Sequence, residues 1–334
     1  MRENESSILE QYDIDVKNTR KVRDAVLCET DKGLFLIKEM KFSEKRLTML
    51  ECLGNHLRDR GFEQIDWLLK TGENGNFCVA EDGTKYFLKR WFVGKECDIQ
   101  KERDVLDAVR NLTQIHCALK NPLLDEQGAN VSVTSGENLL QEYTRHNREM
   151  KKVRTFMREK VGKGDFEITF LKHFDKMFSY ADCAVEKLQE SNYEELFETC
   201  RKEHTLIHGD YNYHNLLMTY AGIATTNFEH TQENIQVTDL YYFLRKVMEK
   251  HHWDVRLGDK VLNSYGKILP FQQGELDYIA ICLAYPEKFW KAANSYYRSK
   301  KVWIPAKNFE KLEMVIRQTE EKKSFLKTIF SFHL

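Results

Sequence analysis

Leu206-Ile207-His208-Gly209-Asp210-Tyr211-Asn212-Tyr213-His214-Asn215-Leu216-Leu217 sets aliphatic pairs on either side of a polar core. The informative spacing is His-Gly-Asp-x-x-x-x-Asn. In phosphoryl transfer an acceptor hydroxyl has to be oriented, and a carboxylate suits that task. A side-chain amide one turn further on can swing back to the same point and help hold a metal ion on the phosphates. Asp210 and Asn215 carry those two chemistries at that spacing. A strand end and turn that happens to contain these letters is the bland alternative. The Asn and the flanking aliphatics weigh against it.

The stretch resembles the catalytic loop of the aminoglycoside-phosphotransferase and choline-kinase branch of the kinase-like fold. Gly209 stands where the protein-kinase form has Arg, which favours the small-molecule branch.

Composition bounds the rest. The chain has 334 residues, 42% of them hydrophobic, enough for one large domain or two lobes with real cores. Its 51 Lys and Arg nearly balance 52 Asp and Glu, so charge argues for neither nucleic acid nor an anionic membrane as partner. Eight cysteines lie far apart without a Cys-x-x-Cys pair, which speaks against a zinc or redox motif and for small core residues in a reducing compartment. The polar, acidic start Met1-Arg-Glu-Asn-Glu-Ser-Ser7 does not read as a signal peptide. No apolar run approaches the roughly 20 residues that span a bilayer. The expectation is a soluble chain made in the cytosol.

In chain order, Ala25–Cys28 and Leu34–Ile37 flank Asp31-Lys32-Gly33, a hairpin signal. Lys38 ends the second strand, where a lysine could reach nucleotide phosphates. Ser43 can cap a helix running to about Arg60, with Leu47, Leu50, Leu53 and Leu57 as its apolar stripe. Glu51 lies beside that stripe, so a partner is required, and Lys38 is the natural candidate. Glu44 is the other carboxylate that could serve. Three more strands follow, at 64–69, 76–80 and 84–92. The turn before Val26, read as Asn18–Asp24, contains no glycine and is a poor phosphate cradle.

From residue 98 the pattern is helical. Phe166, Phe170, Leu171, Phe174, Phe178 and Ala181 are candidate core in one helix. The basic run Arg145–Arg158 mixes with Glu149 and Glu159, so a solvated helix face is favoured over an anion site. Residues 121–136 read as an exposed loop. The aromatic segment from Leu283 to Pro305 is favoured as a core for the last helices over a substrate wall.

Nearly the whole chain is similar to the spore-coat kinase-like family of the CotS type. The resemblance rests on Thr30–Lys38, Val93–Asp98, Leu112–His116, His208–Asp210, Asp239–Lys246, and above all Tyr285–Trp290 through Trp303-Ile-Pro305. It implies an α+β, two-lobed, aminoglycoside-phosphotransferase-like fold. The expected lobes are a five-stranded antiparallel N-lobe with one helix over 1–92 and a mostly helical C-lobe over 99–334 that carries the loop at 206–217. A connector at 93–98 would join them. The resemblance also implies a place in or near the spore coat, with other coat proteins as partners and the mother cell as the site of synthesis.

The resemblance carries roles to matching positions. Asp210 would orient the acceptor, and Lys38, positioned by Glu51, would hold the phosphates of ATP. Asn215, Asn227 and Glu229 would be the magnesium ligands. His208 and Asp239 would support the loop, with Asp239 accepting hydrogen bonds from its backbone. Members of the fold carry Asp where Asn227 stands, and a neutral amide is a weak ligand for a hard cation. Two readings result. One is a degenerate kinase used as a scaffold, with residual nucleotide binding; the other is an ATP- and magnesium-dependent phosphotransferase acting on a small-molecule or sugar hydroxyl. The eroded parts favour the first.

Overall fold

A computed structural model describes residues 8–22, 25–122, 124, 131, 133–299 and 306–334. The chain divides into two compact units, Met1–Ser135 with Glu203–Asp239, and Gly136–Lys202 with Leu240–Leu334. Residues 93–135 and 203–239 thus share most of their contacts with the unit that holds the sheet.

The first unit opens with strands β1 (Val16–Val22), β2 (Ala25–Thr30) and β3 (Gly33–Glu39), then helix α1 (Glu44–Asp59). Strands β4 (Leu68–Leu69), β5 (Cys78–Val79) and β6 (Lys85–Arg90) complete an antiparallel sheet in the order β1-β2-β3-β6-β4, with β5 also on β6. The sheet has six strands where five were expected. The extra one is β1, because residues 18–22 pair with β2 instead of forming a turn. Its Lys17, Arg20 and Lys21 keep the edge charged, which blunts further strand pairing. Only Arg23 and Asp24 separate the paired Val22 and Ala25, and both lie outside the described residues.

The β2–β3 hairpin turns as the sequence predicts. Thr30 Oγ1 accepts from Lys32 N at 3.1 Å and donates to the Gly33 carbonyl at 2.8 Å. Register then places Lys38 opposite Phe87 and Leu36 opposite Lys89 across β3 and β6. Opposed residues share a face and side chains alternate. Leu36, Lys38, Phe87 and Lys89 therefore lie on one face of the sheet. Phe35, Ile37 and Leu88 lie on the other, packed with Ile8, Leu9, Tyr12, Cys28 and Cys78.

Ser43 caps α1 as anticipated, accepting from Arg46 N, and all four leucines of the stripe are buried. The expected strand at 64–69 shortens to β4, with Ile65 bridging Thr225 instead. Strand β7 (Lys95–Glu96) pairs with β9 (Leu216–Thr219), which pairs with β10 (Gly222–Thr225). Helix α2 (Glu102–Ala118) buries Val105, Ala108, Val109, Leu112 and Ile115. Strand β8 (Leu206–Ile207) pairs with β11 (Gln232–Glu233).

The second unit is helical: α3 (Leu139–Glu159), α4 (Asp165–Glu190), α5 (Tyr193–Lys202), α6 (Val237–Lys250, begun in the first unit), α7 (Val255–Gly266), α8 (Glu275–Ala284), α9 (Glu287–Arg298), α10 (Ala306–Arg317) and α11 (Thr319–Phe330). On α4, Phe166, Phe170, Phe174 and Ala181 are buried, whereas Leu171 and Phe178 are half-buried. The basic run on α3 behaves as a helix surface. Arg145 pairs with Glu137 and Arg154 with Asp175, while Met150, Val153 and Met157 face the core. Tyr285 stacks on Tyr143 with centroids 3.7 Å apart and Phe289 on Phe170 at 4.6 Å. This part of the aromatic segment is core. Trp303 and Pro305 lie outside the described residues, as does most of the expected loop between Asn121 and Gly136.

Phe170 and Phe178 look alike in the sequence, but only Phe170 is fully enclosed. Phe170→Ala should cost about 3–5 kcal/mol in urea unfolding, as large buried aromatics do, and Phe178→Ala less than half of that. Equal losses would contradict this packing.

Candidate functional site

Gly209 and Asp239 shape the loop. Gly209 has φ +82°, and a side chain there would collide with the His230 carbonyl, so glycine is required. Asp239, buried in the first turn of α6, accepts from His208 N at 2.7 Å and Gly209 N at 3.0 Å. His116 Nε2 lies 3.2 Å from the same carboxylate. The His208 ring is held at both nitrogens. Nδ1 lies 3.1 Å from Asp210 N, which can only donate, so Nε2 carries the proton and donates to the Thr226 carbonyl at 3.0 Å. His208 and Asp239 thus both hydrogen-bond to the backbone around the loop.

Asp210 is half-buried. Asn212 Nδ2 donates to its Oδ1 and Asn215 Nδ2 to its Oδ2, each at 2.8 Å. Each oxygen keeps acceptor capacity for another donor. Asn215 Nδ2 also donates to the Asp210 carbonyl, and its Oδ1 accepts from Asn227 Nδ2 at 2.7 Å. Asn227 Oδ1 in turn accepts from Lys89 Nζ at 2.8 Å. Both amide orientations follow from their charged neighbours. Turning Asn227 would set its NH2 against the Lys89 ammonium, and turning Asn215 would set its oxygen against the Asp210 carboxylate. The result is a one-way chain from cation to carboxylate through two amides. Asn227 sits in the left-handed region at φ 67°, which Asn tolerates better than most residues.

The residue at the head of that chain, Lys89, escaped the sequence reading. Its side chain is 2% exposed, and its ammonium donates to Asp66 Oδ2 at 2.7 Å, Glu229 Oε1 at 2.8 Å and Asn227 Oδ1. Three donors meet three acceptors. Asp66, 3% exposed, also accepts from Asn227 N at 2.6 Å. Strand alternation carried the signal: Phe87 faces inward, so Lys89, two residues on, does too.

Lys38 lies 3.0 Å from the same Glu229 Oε1. Two lysines and two carboxylates thus form a neutral cluster. Arg46 adds hydrogen bonds to the Glu229 carbonyl through Nε at 3.3 Å and Nη2 at 2.8 Å, another contact the sequence did not reveal. Beside the cluster is a small apolar cavity of about 20 Å³ lined by Leu50, Leu53, Leu57, Ile65, Phe87 and Phe228. Low-dielectric walls make the pairing obligatory. Burial pushes the Glu229 carboxyl up, but Lys89 and Lys38 more than offset it and hold it well below the usual carboxylate range. Burial would likewise lower Lys89, yet Asp66 and Glu229 raise it and keep it charged.

Glu51 is not the partner of Lys38. It pairs with Lys70 and accepts from Asn76, and Glu44 pairs with Lys85. Both glutamates lie off the buried stripe of α1 and turn toward neighbours on β6 and the β4–β5 segment. Glu229, 191 residues along the chain, takes the role instead.

The three expected metal ligands come together, but their donor set does not fit a divalent cation. The Asn215 and Asn227 oxygens are spent on N–H donors, and the one carboxylate, Glu229, is neutralised by two ammonium groups. Among the described residues no group of three or more His, Cys, Asp or Glu could hold a metal ion.

Fold and site together define a protein of the kinase-like aminoglycoside-phosphotransferase class. An aminoglycoside phosphotransferase from Alicyclobacillus acidocaldarius subsp. acidocaldarius DSM 446 superimposes with a TM-score of 0.84 at 17% identity, covering 97% of this chain and 94% of that one. Spectinomycin phosphotransferase APH(9)-Ia, solved in complex with ADP and spectinomycin, gives 0.61 at 12% identity, with 94% and 96% covered. Within that class, residues 5–329 match the family described as "Spore coat putative kinase YutH", and the chain belongs to it. It is also 27% identical over 321 residues to spore coat protein S of Bacillus subtilis (strain 168), covering 93% of this chain and 87% of that protein. The expectation of a spore-coat kinase-like family holds.

Removing one member of a buried charge cluster strands the others. Lys89→Met should cost about 3–5 kcal/mol in urea unfolding. Lys38, whose side chain is 25% exposed, should cost clearly less as Lys38→Met. The reverse order would show that Lys38 organises the cluster.

Proposed function

We propose that the protein is a kinase-derived component of the spore coat whose nucleotide machinery has eroded, so that it acts chiefly as a scaffold. It retains weak nucleotide binding that does not depend on a divalent metal. The observation that carries this reading is the hydrogen bond from Asn227 Nδ2 to Asn215 Oδ1. Two positions that would both offer oxygen to magnesium satisfy each other, and the flanking charges prevent either amide from turning. The two-residue link between Val22 and Ala25 supports the same reading, since it leaves little backbone to wrap phosphates. In this proposal the chain is made in the mother-cell cytosol and binds other coat proteins, and its lobes are the expected 1–92 and 99–334. No helix among the described residues is long and apolar enough to cross a membrane.

One observation favours the second reading, an active phosphotransferase on a small-molecule or sugar hydroxyl. Asp210 is held by two amides yet keeps acceptor capacity, as a residue that orients a hydroxyl must. The ADP bound to spectinomycin phosphotransferase shows that the fold can take a nucleotide.

Calorimetry with ATP, with and without magnesium, separates the two. Wild type should bind ATP weakly and equally in both conditions. Asn227→Asp places a carboxylate against the Asn215 oxygen, an arrangement that a cation relieves. That variant should gain about tenfold or more in affinity on adding magnesium, about 1.4 kcal/mol. Tight magnesium-dependent binding by the wild type would overturn the scaffold reading. Asp210→Ala would then be expected to abolish ATP turnover without unfolding the protein.

A further inference from the structure

The second unit holds a small cleft of about 50 Å³, open to solvent, between α4, α6, α9, α10 and α11. The segments Asp239–Lys246 and Tyr285–Trp290, prominent in the sequence and unused by the nucleotide reading, both reach it, through Arg245 and through Tyr285 to Lys288.

Two donors in its wall lack acceptors, and a third has only a long hydrogen bond. Arg245 is 8% exposed; its Nη1 pairs with Glu287 at 2.9 Å, but its Nε is buried without a partner. Trp253 is 5% exposed, and its Nε1 is also buried without a partner. Lys322, half-buried, donates to the Ala284 carbonyl at 3.3 Å, long for a charge-assisted bond. No carboxylate pairs with it among the described residues. The other lysine in the wall, Lys288, is paired with Glu249. Lys322 also stands over the Trp253 ring, 5.9 Å from its centroid.

The backbone supports a built site. His252 and Trp253 are consecutive residues in the left-handed region, at φ 48° and 57°. That conformation is costly for a bulky side chain, and such strain collects at binding sites. Trp253 lines the cleft. If Lys322 served only to cap the C-terminus of α8 at Ala284, neither the strained pair nor the two stranded N–H groups would be accounted for.

We propose that this cleft binds a small organic oxyanion, a carboxylate or phosphate borne on an apolar or aromatic body. The anion would accept from Lys322 Nζ, Arg245 Nε and Trp253 Nε1, and the body would rest against Tyr285, Met314 and Val315. Two of these three donors are cationic, so an anion satisfies the set better than water does.

Binding is linked to protons. Burial pulls the Lys322 ammonium down to about 8; Glu249 raises it and Arg245 lowers it, with Glu287 and Lys288 as smaller opposed influences. The other titratable groups of the wall are the phenols of Tyr180 and Tyr285, and the Tyr285 phenol is raised by burial. An anion raises the Lys322 ammonium again. At pH 8 the free protein should therefore take up about half a proton on binding, and almost none at pH 6.

Calorimetry on the full chain in buffers of different ionisation enthalpy tests this, with phenyl phosphate and benzoate as probes. Tighter binding of phenyl phosphate would assign a phosphate ligand, and tighter benzoate a carboxylate. Lys322→Met should weaken binding tenfold or more, Lys322→Arg should bind without proton uptake, and Trp253→Phe should weaken binding while keeping the ring. The proposal is overturned by absence of binding of both probes at pH 6, by binding that Lys322→Met and Trp253→Phe leave unchanged, or by wild-type binding at pH 8 with no proton uptake.

Discussion

Lys89 carries a positive charge to a place with almost no water, and the first unit is arranged around satisfying it. A buried ammonium has three donors and tolerates none unpaired. Asp66, from the segment after α1, and Glu229 and Asn227, from the segment after β10, meet it from two directions. That single constraint ties the sheet to the helical turn at 228–230, and through Asn227 to the Asp210 loop. The pairing is also what sets the chemistry. Glu229 spends its charge on lysines, and Asn227 spends its oxygen on an ammonium, so neither is available to a hard cation.

The kinase-like loop is held by contacts within the chain itself. Asp239 holds the loop backbone, Gly209 makes the close approach to His230, and His208 locks the turn. None of these depends on a metal. With Asn at 227 the site closes on itself through neutral amide contacts, so the same framework is stable with no cation in it.

Some of this was legible in the chain itself. Asp210 and Asn215 are five residues apart, and their spacing alone brings the amide back toward the carboxylate. The leucine stripe of α1 and the Asp-Lys-Gly hairpin are local patterns of the same kind. The Lys38–Glu51 pairing failed because a position beside a helix stripe leaves the direction of the side chain open, and Lys70 and Asn76 were nearer. β1 was misread as a turn because its exposed, charged residues have no apolar alternation; only pairing with β2 makes it a strand.

What the amino-acid order determined by itself was the kinase-like loop, the family resemblance, the helical content of the later chain, and the Asn at 227. These are short-range patterns, set by side chains within one or two turns of each other. What only the tertiary structure decided was the use of each charge. Lys89 meets Asn227 across 138 residues and Lys38 meets Glu229 across 191. Arg245, Trp253 and Lys322, far apart along the chain, share one cleft only in the folded protein. A buried charge chooses its partner by distance in a low-dielectric interior, and separation along the chain carries no information about that distance.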